Sequence, residues 1–290
     1  MTSDRATDGI SVSALLEELA RNFNARGIPE PFSEAREIVA ALYDVPRFWP
    51  LMNGGIGVDE STLARARRAA DCVGEGRASF RHLTLDVDER VLIPRAETEQ
   101  LVDLVLDVCG RESGGVAIDV GTGSGAIALA LATEGGFSRV YGTDVSLDAL
   151  DVARSNAVIS APMLRAPIDF LHGSLLGPVR DVPARVVVSN PPYIALGEAA
   201  SLPASVRDWE PAVALFSGAD GMTATARLVR EAAEVLAPGG LLALEVDMRR
   251  ASLAAELVSR DRRFHAIRVE LDLTGRERFV LARRLEETAG

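Results

Sequence analysis

Five mostly apolar residues, Val116 to Val120, run into Gly121-Thr122-Gly123-Ser124-Gly125 and out into the alanine- and leucine-rich stretch Ala126 to Ala132. A short apolar run closed by glycines reads as a buried strand, and the stretch beyond it as a helix. The glycines let the backbone turn sharply and let a ligand approach it closely. This strand–turn–helix unit is the first of several. Val140 to Thr143, Ile168 to Leu171, Arg185 to Ser189 and Leu241 to Val246 read as further strands, with a helix from about Leu147 to Val158 after the first of them. Such alternation predicts an α/β fold, a Rossmann-like, doubly wound, mostly parallel sheet with helices on both faces. At the tail, only Asp272 to Arg276 separates His265–Leu271 from Glu277–Ala282, which predicts a terminal antiparallel hairpin.

The N-terminal third follows a different period. Val12, Leu15, Leu16, Leu19 and Phe23 recur at helical spacing after the candidate caps Ser11 and Ser13, and Gly27-Ile28-Pro29 ends that helix. A second helix is predicted from about Ser33 to Tyr43, presenting Ala35, Ile38, Val39 and Leu42. Pro46 and Pro50 break the pattern, Asn53-Gly54-Gly55 makes a loop, and a third helix runs from about Asp59 to Val73. Phe80, Leu83, Leu85 and Val87, then Val91-Leu92-Ile93-Pro94, read as a β-hairpin. The expected organisation is a helical bundle over residues 1–76, a hairpin linker over 77–95 and a catalytic domain over 96–290.

Charge and cysteine usage narrow the partners. The formal net charge is -11, and a surface that acidic repels phosphate backbones, so nucleic acid is not expected as a partner. Cys72 and Cys109 lie far apart, and with His82, His172 and His265 they show no metal-ligand spacing. Met1 to Gly9 carries Asp4 and Asp8 and no apolar run, so no signal peptide is expected. No run of roughly 18 apolar residues suggests a membrane span. Together these predict a reduced, cytoplasmic protein. All 31 basic residues are arginine, which is read as coding bias.

Two loops carry the candidate chemistry. Asp144 follows Gly125 by nineteen residues and closes the next strand. A carboxylate there can accept hydrogen bonds from both hydroxyls of a ribose. NAD would use the same device, but the spacing is Gly-x-Gly-x-Gly, which favours S-adenosylmethionine. The second loop, Asn190-Pro191-Pro192-Tyr193, follows the strand ending at Ser189. Its prolines stiffen the loop and leave carbonyls without competing N–H donors. The Asn190 side-chain oxygen and the Pro191 carbonyl can accept both hydrogens of one NH2 group, with the Tyr193 ring stacked on the flat group beside it. That suits methyl transfer to a planar nitrogen, where orientation supplies much of the rate.

With both loops in place, the chain resembles the HemK/PrmC family, whose members methylate the glutamine amide of the Gly-Gly-Gln loop in peptide chain release factors. Val91-Leu92-Ile93-Pro94-Arg95-Ala96-Glu97-Thr98-Glu99 is similar to the family's segment before the cofactor domain. Glu210-Pro211-Ala212-Val213-Ala214-Leu215, with Gly218 and Asp220-Gly221, is similar to its block after the catalytic loop. The resemblance implies S-adenosylmethionine as cofactor, held by Asp119, Gly121, Thr122, Gly123, Ser124, Gly125, Asp144, Val145, Ser174, Leu175 and Asn190. It assigns catalysis to Asn190, Pro191, Pro192 and Tyr193, substrate recognition to the helical start, and a release factor as partner.

The chain departs from the family at Ala96, where a second proline is usual, at Ser174, commonly aspartate, at Leu175, usually tryptophan, and at Asp247, usually glycine. These changes keep open a small-molecule or peptide acceptor within the same chemistry. A DNA adenine methyltransferase shares the Asn-Pro-Pro-Tyr logic but conflicts with the charge; an NAD enzyme or a non-catalytic binding protein conflicts with the loops. His172, Trp49 and Trp209 are read as structural, Arg249-Arg250 as a solvated helix start, and Arg65, Arg67 and Arg68 as exposed helix surface.

Overall fold

Helical spacing of apolar residues builds the first unit. Helix α1 (Val12–Ala25) is capped by Ser11, whose hydroxyl accepts the Ala14 N–H at 3.3 Å. Helix α2 (Pro31–Leu42) begins with its proline in the first turn, where a missing N–H costs nothing. The same rule explains a short helix that the sequence pattern does not predict: Pro50 reads as a breaker, yet it sits in the first turn of α3 (Trp49–Met52). Helix α4 (Glu60–Cys72) is capped by Asp59, which accepts the Thr62 N–H at 2.9 Å. Leu15, Phe23, Val39 and Ala66 share one core, with Trp49 packed at its margin and its ring 5.3 Å from that of Tyr43.

The computed structural model describes residues 10–28, 30–43, 45, 48–109, 114–195, 197, 198, 211, 217, 218 and 221–286. The chain divides into two units, Met1–Thr84 and Leu85–Gly290. The hairpin falls across that division and is shorter than expected: β1 (Arg77–Phe80) pairs with β2 (Leu83–Asp86), and Val91–Pro94 is not a strand. The interval of three between Phe80 and Leu83, where alternation by two fails, is the turn, and Arg81 there has φ 54°.

The second unit is the expected doubly wound sheet. After helix α5 (Ala96–Cys109) come β3 (Val116–Val120), α6 (Ala126–Glu134), β4 (Arg139–Asp144), α7 (Leu147–Ser160), β5 (Ile168–His172) and β6 (Ala184–Ser189). Helix α8 (Thr223–Val235), β7 (Leu236–Glu245), α9 (Ala251–Arg260), β8 (Phe264–Leu271) and β9 (Glu277–Arg284) follow. The strand order is β5-β4-β3-β6-β7-β9-β8. The first five in that order are parallel, and β9 runs antiparallel between β7 and β8. Ile118, Val187, Leu242 and Val280 belong to the core on the sheet.

Strand order reverses between β3 and β6, which is where open α/β sheets bind ligands. Register places the critical chain exits side by side. Val120 is opposite both Thr143 and Ser189, and Ser189 is opposite Leu244. Gly121, Asp144, Asn190 and Glu245 therefore all lie at the carboxyl edge of the sheet.

One surface expectation fails. Arg250 precedes α9 as its N-cap, but it is buried, and its guanidinium pairs with Glu198 at 2.6 Å. Arg249 is the exposed member, bonded to Asp247 at 2.7 Å. Among Arg65, Arg67 and Arg68, Arg67 pairs with Glu18 at 2.7 Å. Trp209 lies outside the described residues. No helix among the described residues is long and apolar enough to cross a membrane.

Candidate active site

The glycine turn is held from three sides. The Gly121 and Thr122 N–H groups donate to the Thr143 carbonyl at 2.8 and 3.0 Å, fixing the turn to β4. Below it, Asp119 is fully buried, and its Oδ2 accepts the Thr122 hydroxyl at 2.6 Å and the Ala128 N–H at 3.1 Å. Burial lifts its carboxyl to about 7; these two bonds oppose the shift and the nearby Asp144 adds to it. Its Oδ1 has no partner among the described residues. From the side, the buried Asn156 donates to the Ser124 carbonyl at 2.9 Å and exchanges two bonds with the Asp86 backbone.

Gly121 and Gly123 have φ 72° and 53°, and a Cβ on either would meet no atom within 4 Å. They are glycine for backbone conformation, and their open sides face the space a ligand would take. Asp144 stands over the turn. Its Oδ2 accepts the Gly123 N–H at 3.0 Å and its Oδ1 the Ser146 N–H at 2.9 Å. Each carboxylate oxygen keeps a second lone pair, so the group is already oriented and can still accept two hydroxyls.

Asn190 leaves β6 with its amide NH2 directed at the Thr98 hydroxyl, 3.4 Å away. The Tyr193 phenol is pushed up to about 12, chiefly by burial, with the charges of Glu245, Asp247 and Glu97 adding and Arg278 opposing. It is protonated at any physiological pH. The Glu245 carboxyl, at the end of β7, is raised to about 7 by burial.

These elements surround a cavity of about 330 Å³, in the range typical of small-molecule sites. Of the residues the sequence singled out, Gly121, Gly123, Asp144, Val145, Ser174, Leu175, Asn190 and Pro192 line it together. Asp119, Thr122, Ser124, Gly125, Pro191 and Tyr193 do not; the first three support the turn, and Gly125 (φ 84°) packs toward Phe170, Ala153 and Leu129. Leu175 holds φ 49°, with its carbonyl taken by the Thr143 hydroxyl at 2.9 Å. A left-handed leucine is a strained backbone of the kind found at ligand sites. His172 is exposed, its Nε2 3.1 Å from the Val145 carbonyl.

Sequence reasoning missed the rest of the wall. Arg90, Val91 and Leu92 line one part; Thr223, Ala224 and Arg227 at the start of α8 line another. Val91 and Leu92 read as a strand and as part of the segment that resembles the family's, neither of which marks them as cavity wall, and the α8 residues carry no local motif. The block from Glu210 lies mostly outside the described residues, although Pro211 and Gly218 line the cavity.

The open glycine backbone, the oriented carboxylate and the cavity size fit S-adenosylmethionine. Comparison with known proteins agrees with the fold and narrows the family. Residues 85–204 match the family described as "Methyltransferase small domain". The chain shares its fold with a methyltransferase from Pyrococcus furiosus (TM-score 0.50, 19% identity, covering 70% of this chain and 89% of that one). It is 35% identical to the release factor glutamine methyltransferase of Streptomyces coelicolor, over 89% of this chain and 92% of the relative. With the protein of the same name from Deinococcus radiodurans the identity is 39% over 285 residues, 93% of this chain and 97% of the relative. At that identity across nearly both full lengths, the chain belongs to the release factor glutamine methyltransferase family.

Proposed function

We propose that this protein methylates a glutamine side-chain amide in a peptide chain release factor, using S-adenosylmethionine as methyl donor. The observation that carries the reading is the convergence of Asn190 and Pro192 with Gly121, Gly123 and Asp144 on one cavity. Gly121, Gly123, Val145, Ser174 and Leu175 would hold the cofactor, with Asp144 on its ribose. The cofactor supplies an electrophilic methyl group carried on a sulfonium.

This chain's own residues do the orienting. Asn190 Oδ1, on the cavity wall, accepts a hydrogen of the amide, which holds its nitrogen in line for attack. The two prolines that follow keep that acceptor from relaxing. A delocalised amide lone pair is a weak nucleophile, so fixing its geometry is the main contribution open to the protein. Asp119, Thr122 and Ser124 act by holding the glycine turn.

The N-terminal unit supplies the docking surface in this reading. Phe32, Phe48, Leu51, Met52 and Ile56 are exposed there and could meet a partner's apolar side chains. Two relatives that match almost end to end carry the release factor in their names.

The test is methyl transfer from labelled S-adenosylmethionine to a purified release factor, with peptide mapping of the product. Label confined to the Gly-Gly-Gln glutamine is expected. Label appearing only in a metabolite or peptide pool would move the acceptor elsewhere and leave the methyltransferase chemistry standing.

A further inference from the structure

Strand order along the carboxyl edge sets the order in which a long ligand is met. From the catalytic loop outward it runs β6, β3, β4, β5. Asn190 follows β6, Gly121 and Gly123 follow β3, Asp144 closes β4, and Gly173, Ser174 and Leu175 follow β5; all border one cavity. A nucleoside whose transferable group reaches Asn190 and whose ribose sits on Asp144 therefore carries its base toward the exit of β5. That loop offers a leucine side chain and a serine hydroxyl. A hydroxyl can donate or accept, so neither selects one base over another.

Helix α8 supplies a group that does select. Gly173, Ser174 and Arg227 border the cofactor cavity and also a second cavity, of about 640 Å³, so Arg227 stands beside the β5 exit. Glu231, one turn further along α8, ties the two together. Its Oε1 accepts from Arg227 Nη2 at 3.2 Å and its Oε2 accepts the Leu176 N–H at 3.1 Å. Arg227 has no other hydrogen-bond partner among the described residues, and its side chain is half exposed. Arg90, the other arginine on the wall, is closed on Asp88 through Nε at 2.9 and 3.1 Å and Nη2 at 2.6 Å. Arg227 thus presents an anchored, planar fork of N–H donors that cannot accept.

We propose that Arg227, held by Glu231, is the residue that selects adenine as the base of the cofactor. The inference rests on the proposed reading for its ligand, S-adenosylmethionine, and not on the identity of the methyl acceptor. The edge of adenine away from the sugar carries N1, which only accepts, beside the N6 amine, which only donates. A donor-only fork takes N1, and the Ser174 hydroxyl is left to accept from N6. Hypoxanthine reverses both positions: its N1 carries a hydrogen and meets a group unable to accept it. Polar groups left unpaired in this way are what reject a near-isosteric ligand.

Calorimetric titration of the full chain with S-adenosylhomocysteine, adenosine and inosine decides it, with thermal melts to show that each variant is folded. The wild type should bind adenosine roughly tenfold or more tightly than inosine, the size expected of one charge-assisted hydrogen bond. Arg227→Met keeps the length of the side chain and removes the fork. It should weaken S-adenosylhomocysteine and adenosine by the same factor, about tenfold, and leave inosine unchanged, so that the preference disappears. Glu231→Gln, which loosens the fork without removing it, should fall between. Adenosine binding within twofold of wild type in folded Arg227→Met overturns the proposal. So does an equal loss for adenosine and inosine, which is what a merely loosened loop would give. Loss confined to S-adenosylhomocysteine also overturns it, because Arg227 would then meet the amino-acid end. A wild type that shows this base pattern but leaves release factors unmethylated counts against the proposed function alone. One that methylates a release factor yet binds adenosine and inosine equally overturns this proposal alone.

Discussion

Replacing Asp144 by alanine removes an acceptor group that is fully employed on one side and free on the other. Its two oxygens accept backbone N–H groups from Gly123 and Ser146 at 3.0 and 2.9 Å. Gly123 and Ser146 both line the cavity, so water can replace the carboxylate there, and the fold should lose only about 1 kcal/mol. Binding should lose more. The remaining lone pairs are the charged acceptors offered to the ribose, and hydrogen bonds to charged groups are worth about 1.5–3 kcal/mol. At 1.4 kcal/mol per factor of ten, the dissociation constant of S-adenosylmethionine or S-adenosylhomocysteine should rise roughly 10- to 150-fold. Asp144→Asn should be little better, because its NH2 would face one backbone N–H. Calorimetric titration measures both variants, with thermal melts to show that they are folded. A dissociation constant within twofold of wild type in folded Asp144→Ala, or saturable NAD binding by the wild type, would place the cofactor elsewhere and refute the reasoning.

Asn190→Ala should reduce kcat by about 10²-fold with cofactor affinity nearly unchanged, since it removes orientation and no cofactor contact of comparable strength; Asn190→Asp keeps an acceptor and should retain partial turnover. Full kcat in folded Asn190→Ala would contradict the catalytic role. Gly125→Ala forces φ 84° on a residue whose Cβ would lie 3.2–3.3 Å from Phe170, Ala153 and Leu129. It should lower Tm by on the order of 5 °C, whereas Gly123→Ala, strained at φ 53° but meeting no atom, should lower Tm less and also cost cofactor affinity. Stability should also depend on pH through Asp119 and Glu245, both raised to about 7. A raised carboxyl binds its proton more tightly in the folded state, so its stabilisation is complete near pH 4 and is lost as pH rises to about 7. Melts across that window should therefore fall with rising pH, and the slope should be shallower in Glu245→Gln; equal slopes would exclude Glu245 as a contributor.

Much of the fold was legible because its signals are local. Val116 to Val120 is apolar but for Asp119 and became β3 over that same span; the short Asp272–Arg276 link allowed nothing but a hairpin between β8 and β9. The errors arose where one residue type has two structural meanings. Pro50 can break a helix or begin one, and only its position within the first turn decides. Val91 to Ile93 has strand composition, yet it lies after the paired arms and Val91 and Leu92 line the cavity instead. Arg250 has the composition of a solvated cap, and its burial depends on Glu198, a residue 52 positions away.

The active site divides along the same line. A glycine turn and an Asn-Pro-Pro-Tyr loop are contiguous, so they can be read from the chain directly. The groups that orient them come from distant segments. Asn156 reaches the Ser124 carbonyl across 32 positions, and Thr98 meets Asn190 across 92. No periodicity or spacing brings such residues together; only the start of α5 beside the end of β6 puts a hydroxyl next to the Asn190 amide. Glu245 shows the cost of reading by motif. In Leu244-Glu245-Val246-Asp247 the departure from the family pattern drew attention to Asp247, which holds Arg249 at the surface. The buried carboxyl two residues earlier fits the pattern and so drew none, although its charge bears on Tyr193 of the catalytic loop.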